Sequence, residues 1–175
     1  PLASMAQLNG STVNLYMTPI AGALAINVYK TDGNTSGETL KSIKITPLNN
    51  SGFVGNAEVD LTEDPIKYSG GDSTSEAVTV TLDTPQTIAG AKPETPQAYE
   101  GQVFAVLGRN AYTKLKFEII TSSDTYKVIS SDSYTFDLNS KDFIVTNINI
   151  SSLRISVTSG LTGETITTSD ITDTN

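Results

Sequence analysis

The sequence predicts an all-β fold, an antiparallel β-sandwich, and three observations lead to it. Thr, Val and Ile are frequent, and these residues favour strands over helices. Short runs alternate apolar and polar side chains with a period of two, which is typical of strands with one buried face. No stretch shows the amphipathic period of a long helix, so a parallel sheet with crossover helices is disfavoured.

The clearest alternation lies between residues 20 and 28. Large side chains occupy even positions and small or polar ones occupy odd positions: Ile20, Leu24, Ile26 and Val28 against Ala21, Ala23, Ala25 and Asn27. A strand with this pattern has one bulky face for a core and one nearly flat face. The alternative is a short helix with Thr18 as N-cap and Pro19 at its first position. The regular alternation favours the strand.

The remaining strands follow from the same pattern and from the turn residues between them. In chain order the sequence predicts strands at 12–17, 20–30, 39–46, 52–61, 76–83, 102–107, 114–122, 125–129, 142–150 and 153–159. Residues 113–129 are expected to form a hairpin that turns at 122–124. Two segments with Pro or paired Gly, 64–75 and 85–101, are expected to be long connections.

The chain of 175 residues suits one domain. The sequence predicts a sandwich domain over residues 1–159 and a polar C-terminal tail over 160–175, with a weak last strand at 164–168. The inward positions of the alternating runs predict a core, which includes Ile26, Val28, Ile43, Val59, Val80, Leu115, Phe117 and Ile148.

Charge and composition exclude several functions. The net charge is −8 and the basic residues are scattered, which disfavours nucleic-acid binding. The chain has no His and no Cys, so the commonest general base, thiol chemistry and the usual nucleophile pairs are absent. We therefore expect no enzymatic activity, no cofactor and no metal. The sequence begins with Pro1 and not Met, which we interpret as a mature or cut form.

Carboxylates and serines offer the first candidate sites. Glu58, Asp60, Glu63 and Asp64 could bind Ca²⁺ or form an acid/base pair, but the solvated face of a strand is the favoured interpretation. Ser130 and Ser131 have no nearby base, so a nucleophilic serine is disfavoured.

Four tyrosines are the other candidates. Tyr99, Tyr112, Tyr126 and Tyr134 could stack on sugars, although core or edge packing is favoured. A sugar platform would indicate an immunoglobulin-like carbohydrate-binding module, which is the alternative function.

A succession of stretches between residues 12 and 150 is informative: it comprises 15–28, 39–45, 52–60, 78–82 and 147–150. Taken in this order they resemble the fimbrillin family, the pilin-like surface proteins of Bacteroidales. The resemblance implies a transthyretin-like β-sandwich that is exported as a lipoprotein to the cell surface, fimbrium or outer membrane. It also implies a role as a pilus shaft, tip or anchor subunit or as a related adhesin.

The resemblance further implies partners and sites. The partners would be other pilus or surface subunits joined by strand addition, with a host or glycan ligand, and the membrane would be reached only through an upstream lipid anchor. Ala21, Ala23 and Ala25 would form the strand-acceptor groove; alternatively, these alanines pack against the chain's own segment 85–101. Ser73, within Asp72-Ser73-Thr74, matches the O-glycosylation pattern of this bacterial group. The chain departs from the family in having room for about one sandwich domain.

Overall fold

Every regular element in the described part of the chain is a β-strand. The computed structural model describes residues 2–9, 12–19, 21–32, 37–48, 57–60, 67–70, 77–92, 102–130, 135–138, 143–159 and 165–168. Within these ranges the strands are β1 Leu2–Asn9, β2 Thr12–Pro19, β3 Ala21–Tyr29, β4 Thr39–Pro47, β5 Ala57–Asp60, β6 Lys67–Gly70, β7 Val78–Thr87, β8 Val103–Gly108, β9 Ala111–Tyr112, β10 Leu115–Thr121, β11 Thr125–Ile129, β12 Phe136–Asp137, β13 Phe143–Asn149, β14 Arg154–Ser159 and β15 Thr165–Thr168.

Two larger sheets make up the sandwich. One has four antiparallel strands in the order β11-β10-β4-β7, and the other has five in the order β15-β14-β13-β3-β8. The strand pairs β1–β2, β5–β6 and β9–β12 form short two-stranded sheets. The predicted all-β sandwich is confirmed. One pair departs from the antiparallel rule, because β3 and β13 run parallel.

A single hydrophobic core joins the inner faces of the two sheets. Leu24 and Ile26 of β3 share it with Ile43 of β4 and Phe117 of β10. Of the predicted core residues, six are buried: Ile26, Val28, Ile43, Leu115, Phe117 and Ile148. Val80 is half-buried against the same core, because β7 forms an edge of the four-stranded sheet. The Val59 side chain lies outside the described residues.

The predicted strands each overlap an observed strand, whereas β1, β9 and β12 were not predicted. β10 and β11 pair antiparallel, with Glu118 opposite Lys127, so the hairpin that turns at 122–124 is confirmed. The prediction for 64–75 was partly wrong, because β6 lies within it and pairs with β5. The glycines and the proline of segment 64–75 are typical of loops, so its short strand was not predicted.

Strand β7 continues past its predicted end through Pro85 to Thr87. Proline is tolerated there because β7 is an edge strand. In the predicted tail, β15 pairs with β14 and extends the five-stranded sheet.

The β9–β12 ribbon and the residue after it close one end of the core. The Leu138 N–H donates to the Asn110 carbonyl at 2.9 Å, and the Leu138 side chain is fully buried beside Gly22 of β3. Phe136 packs near Phe117, with ring centroids 6.3 Å apart. The absence of a side chain at Gly22 is what allows this close approach.

Candidate functional site

The outer face of β3 bears the alanines that the sequence pattern singles out. Leu24, Ile26 and Val28 enter the core, so the odd-numbered residues of β3 face the opposite side of the sheet. Ala21 and Ala23 are half-buried there, whereas Ala25 has no exposed surface. The bulky and flat faces of this strand therefore lie as the alternation predicts.

Aromatic side chains of the two neighbouring strands flank this alanine row. Phe104 of β8 lies opposite Ala25, and Phe143 of β13 lies opposite Ala23. The two ring centroids are 6.1 Å apart, with the ring planes tilted by 34°. The two phenylalanines therefore approach each other from either side of β3. The small alanine side chains of β3 therefore lie lower than the phenylalanine side chains of the strands on either side.

Strand β8 is an unprotected sheet edge within the described residues. It ends the five-stranded sheet, with β3 on one side. Its inward residues Val103, Ala105 and Leu107 are buried, while the outward Phe104 and Val106 are 49% and 58% exposed. No charged residue and no proline lies between Val103 and Gly108. Natural edge strands usually carry such residues, because an open apolar edge pairs with other chains.

The edge of the other sheet on the same side is blocked. β7 lies against β8 but carries Asp83 and Pro85, both exposed. Proline cannot donate a ladder hydrogen bond, and a charge opposes burial by an added strand. Of these two adjoining edges, β8 is therefore the one suited to pairing.

The other half of the same outer face is polar and buried. The Asn27 Nδ2 donates to the Asn147 Oδ1 at 2.8 Å across the parallel pair. Further along β13, the Asn149 Nδ2 donates to the Thr31 Oγ1 at 3.0 Å. These amides have little exposed surface, so they join β3 to β13 and are not presented to solvent.

A buried carboxylate ties the two sheets together beyond the end of β3. Glu38 is 6% exposed and accepts from the Thr121 hydroxyl at 2.6 Å, the Tyr126 hydroxyl at 3.1 Å and the Lys30 Nζ at 3.0 Å. Burial favours a higher pKa for Glu38, but these hydrogen bonds together hold its pKa below the usual value. The hydrogen bond to Glu38 in turn raises the pKa of Lys30.

This arrangement suits a structural role more than acid/base chemistry. The carboxylate is held ionised by donors from β10, β11 and the residue after β3. A general acid or base needs a pKa near the working pH and access to substrate. Glu38 has a lowered pKa and little exposure.

The structure separates the other candidate residues. Tyr112 is fully buried and donates its hydroxyl to the Gly108 carbonyl at 2.8 Å, so it cannot stack on a sugar. Tyr126 is half-buried and contacts Glu38. The Ser130 Oγ is buried and accepts from the Leu115 N–H at 2.8 Å. Tyr99, Tyr134 and Ser131 lie outside the described residues.

Only part of the acidic cluster lies within the described residues. Asp60 is exposed at the end of β5, the Glu58 side chain is not described, and Glu63, Asp64 and Ser73 lie outside the described residues. Within the described ranges, the structure brings no three metal-ligating side chains together. The absence of a bound metal and the modification of Ser73 both stay predictions.

Sequence reasoning missed Phe104, Val106, Phe143 and Glu38. In β8 the residues of both parities are apolar, so alternation could not distinguish its outward side. The signal that could have identified the outward residues of β8 is the absence of a charged residue on either face of this strand. Glu38 follows Gly37 in a polar stretch, which is typical of a solvated turn, and its partners Thr121 and Tyr126 are distant in sequence.

Comparisons with protein-family models, curated proteins and solved structures find no match to this chain. The similarity to fimbrillins therefore stays a prediction. None of the described residues belongs to a helix of the length and apolarity needed to cross a membrane.

Proposed function

We propose that this chain is a structural or adhesive protein of the cell surface that joins its partners by β-strand addition. In this proposal it is a fimbrillin-like pilus subunit, a tip or anchor component, or a related adhesin, with a transthyretin-like sandwich. The observation that supports the proposal best is β8, an uncharged edge strand whose outward Phe104 and Val106 are exposed.

Strand addition uses the chemistry that such an edge offers. An added strand satisfies a row of backbone N–H and C=O groups, and its alternate side chains fill neighbouring depressions. Next to β8, the small and half-buried Ala21 and Ala23 would leave room for a partner's side chains, whereas Ala25 has no exposed surface. Phe104 and Val106 supply apolar surface beside these alanines.

The composition supports a role without catalysis. The chain contains no His and no Cys, and the buried Glu38 is occupied by three donors. Nothing among these groups provides an activated nucleophile.

One observation favours carbohydrate binding as a second candidate function. Phe104 and Phe143 form an aromatic pair on a sheet face, and sugars stack on such rings. Their planes are tilted by 34°, so they do not form the flat platform that a carbohydrate-binding module presents. Strand addition is therefore the better-supported proposal.

Two measurements test the proposal, one for location and one for assembly. Protease added to intact producing cells should cleave the protein. Ala23→Leu adds side-chain volume between Val106 and Phe143. It should abolish multimers and leave the melting temperature of the monomer nearly unchanged. The control is Thr81→Lys at an exposed position of β7 opposite Ser42, which should assemble normally.

Two results would contradict the proposal. Resistance of the protein on intact cells, with cleavage only after lysis, would exclude the surface location. A monomer destabilised by about 1–3 kcal/mol with assembly intact would show that Ala23 is simply packed inside the protein.

A further inference from the structure

The exposed edge of β8 is complementary to itself. Two copies of a strand that pair antiparallel about a two-fold axis place each residue opposite a residue at a mirrored position. Residues directly opposite each other must point to the same face of the sheet. This condition allows only registers in which the axis passes through a residue, and not between two residues.

Two such registers pair five residues that all lie within β8, Val103–Gly108. With the axis at Ala105, residues 103–107 pair, and Phe104 lies opposite Val106 of the second copy. With the axis at Val106, residues 104–108 pair, and Phe104 lies opposite Gly108, which has no side chain. An aromatic side chain opposite a β-branched one stabilises an antiparallel pair, whereas a glycine offers it no side chain to contact. The first register therefore covers the exposed surface better.

We infer that the partner of β8 is a second copy of this chain, paired antiparallel about a two-fold axis at Ala105. The inference rests on the proposed function, since it names the partner for the same strand edge. On the outer face, two Phe104–Val106 contacts bury the side chains that are 49% and 58% exposed in the single chain. On the core side, Val103 lies opposite Leu107 of the second copy.

Charge and sheet size are compatible with this dimer. No charged residue occurs in β8, so the paired strands bring no like charges into contact. Each copy carries a net charge of −8, and salt screens the resulting long-range repulsion. Joining the two five-stranded sheets gives a continuous sheet of a size found in other proteins. Edge pairing alone is a small interface, so a weak dimer that salt strengthens is expected.

Cysteine cross-linking tests the register directly, because the chain has no cysteine of its own. Phe104→Cys and Val106→Cys are purified separately, mixed in equal amounts and oxidised mildly. Residues directly opposite are close enough for a disulfide, whereas diagonal neighbours lie beyond the usual distance. The mixture should therefore give mostly the mixed disulfide dimer. Preferential self-linking of either variant would overturn the proposed pairing.

Sedimentation equilibrium tests the dimer without a covalent link. Wild-type protein should show a monomer–dimer equilibrium in the micromolar to millimolar range. Val106→Lys should raise the dimer dissociation constant about tenfold or more, because each dimer contains two altered contacts. Thr81→Lys, an exposed change of the same charge on β7 opposite Ser42, should match wild type. A wild-type monomer at all concentrations, or an unaffected V106K dimer, would overturn the inference.

The two levels of the proposal can fail separately. A monomeric wild type whose assembly on cells is still lost in Ala23→Leu would exclude the second copy as partner and leave strand addition to another subunit. A dimer with the expected cross-link from a protein that is absent from the cell surface would support the pairing and overturn the proposed function.

Discussion

Gly22 and Leu138 offer a direct test of how tightly the end of the sandwich is packed. A Cβ at position 22 would lie 2.8 Å from the Leu138 Cδ2 and 2.9 Å from the Leu138 Cβ. Carbon atoms in good contact are about 3.5–4.0 Å apart, so something must move in Gly22→Ala. Rotation of the leucine side chain can withdraw Cδ2 but not Cβ. The backbone at Leu138, held by the hydrogen bond to the Asn110 carbonyl, must therefore shift.

The expected cost combines two opposing effects. Overpacking of a full core costs about 1–3 kcal/mol, while replacing a strand glycine by alanine returns about 0.5–1 kcal/mol of backbone entropy. The net loss in unfolding free energy should be about 1–2 kcal/mol. For a chain of this length, that corresponds to a fall in melting temperature of about 2–8 °C.

Urea denaturation followed by circular dichroism measures this loss. The midpoint should fall while the slope stays constant, since the surface exposed on unfolding is unchanged. Leu138→Ala alone should cost about 2–5 kcal/mol. The double variant should be less destabilised than the sum, because Leu138→Ala removes the contacts with Cγ and Cδ2 and leaves only the one with Cβ. Full additivity, or a Gly22→Ala protein as stable as wild type, would refute the packing argument.

Three further predictions concern the core and its buried polar groups. Glu38 has a lowered pKa because its hydrogen bonds outweigh its burial, so its stabilisation is complete above the unfolded pKa and disappears as the pH falls through the folded one. The unfolding free energy of wild type should therefore fall more steeply below about pH 4.5 than that of Glu38→Gln, measured by denaturation across pH; parallel curves would contradict this. Phe117→Ala removes a fully buried ring and should cost about 3–5 kcal/mol in the same assay; a loss under about 1 kcal/mol would place Phe117 outside the core. Ser130→Ala leaves the buried Leu115 N–H without its acceptor and should cost about 1–3 kcal/mol, whereas an unchanged midpoint would show that this N–H finds another partner.

The elements that sequence reasoning identified are those determined by local pattern. In β10 and β11 the alternation and the turn at 122–124 lie within one short stretch, so the hairpin was visible in the sequence. Lys44 and Glu118 alternate with apolar neighbours and lie on adjacent strands, with a charge separation of 3.6 Å. Such strands need no distant information to be recognised.

The features that were missed depend on distant partners. The parallel pairing of β3 with β13 cannot be inferred from either strand alone, since the side-chain pattern of a strand does not specify its partner or its direction. Glu38 is buried because Thr121 and Tyr126 donate to it, and neither is close to it in sequence. The exposure of Phe104 depends on β8 being the last strand of its sheet, which is a property of the topology and not of the local sequence.

The position of β3 has a consequence for the order of folding. β3 lies between β8 and β13, and Asn27 and Asn147, which join it to β13, are 120 residues apart in the chain. Closing so long a loop is slow, and proteins rich in such distant contacts fold slowly. During synthesis β3 cannot pair until its neighbours β8 and β13, which follow much later in the chain, have been made. The five-stranded sheet therefore cannot be completed before β13 has been synthesised, although local hairpins such as β10–β11 can form earlier.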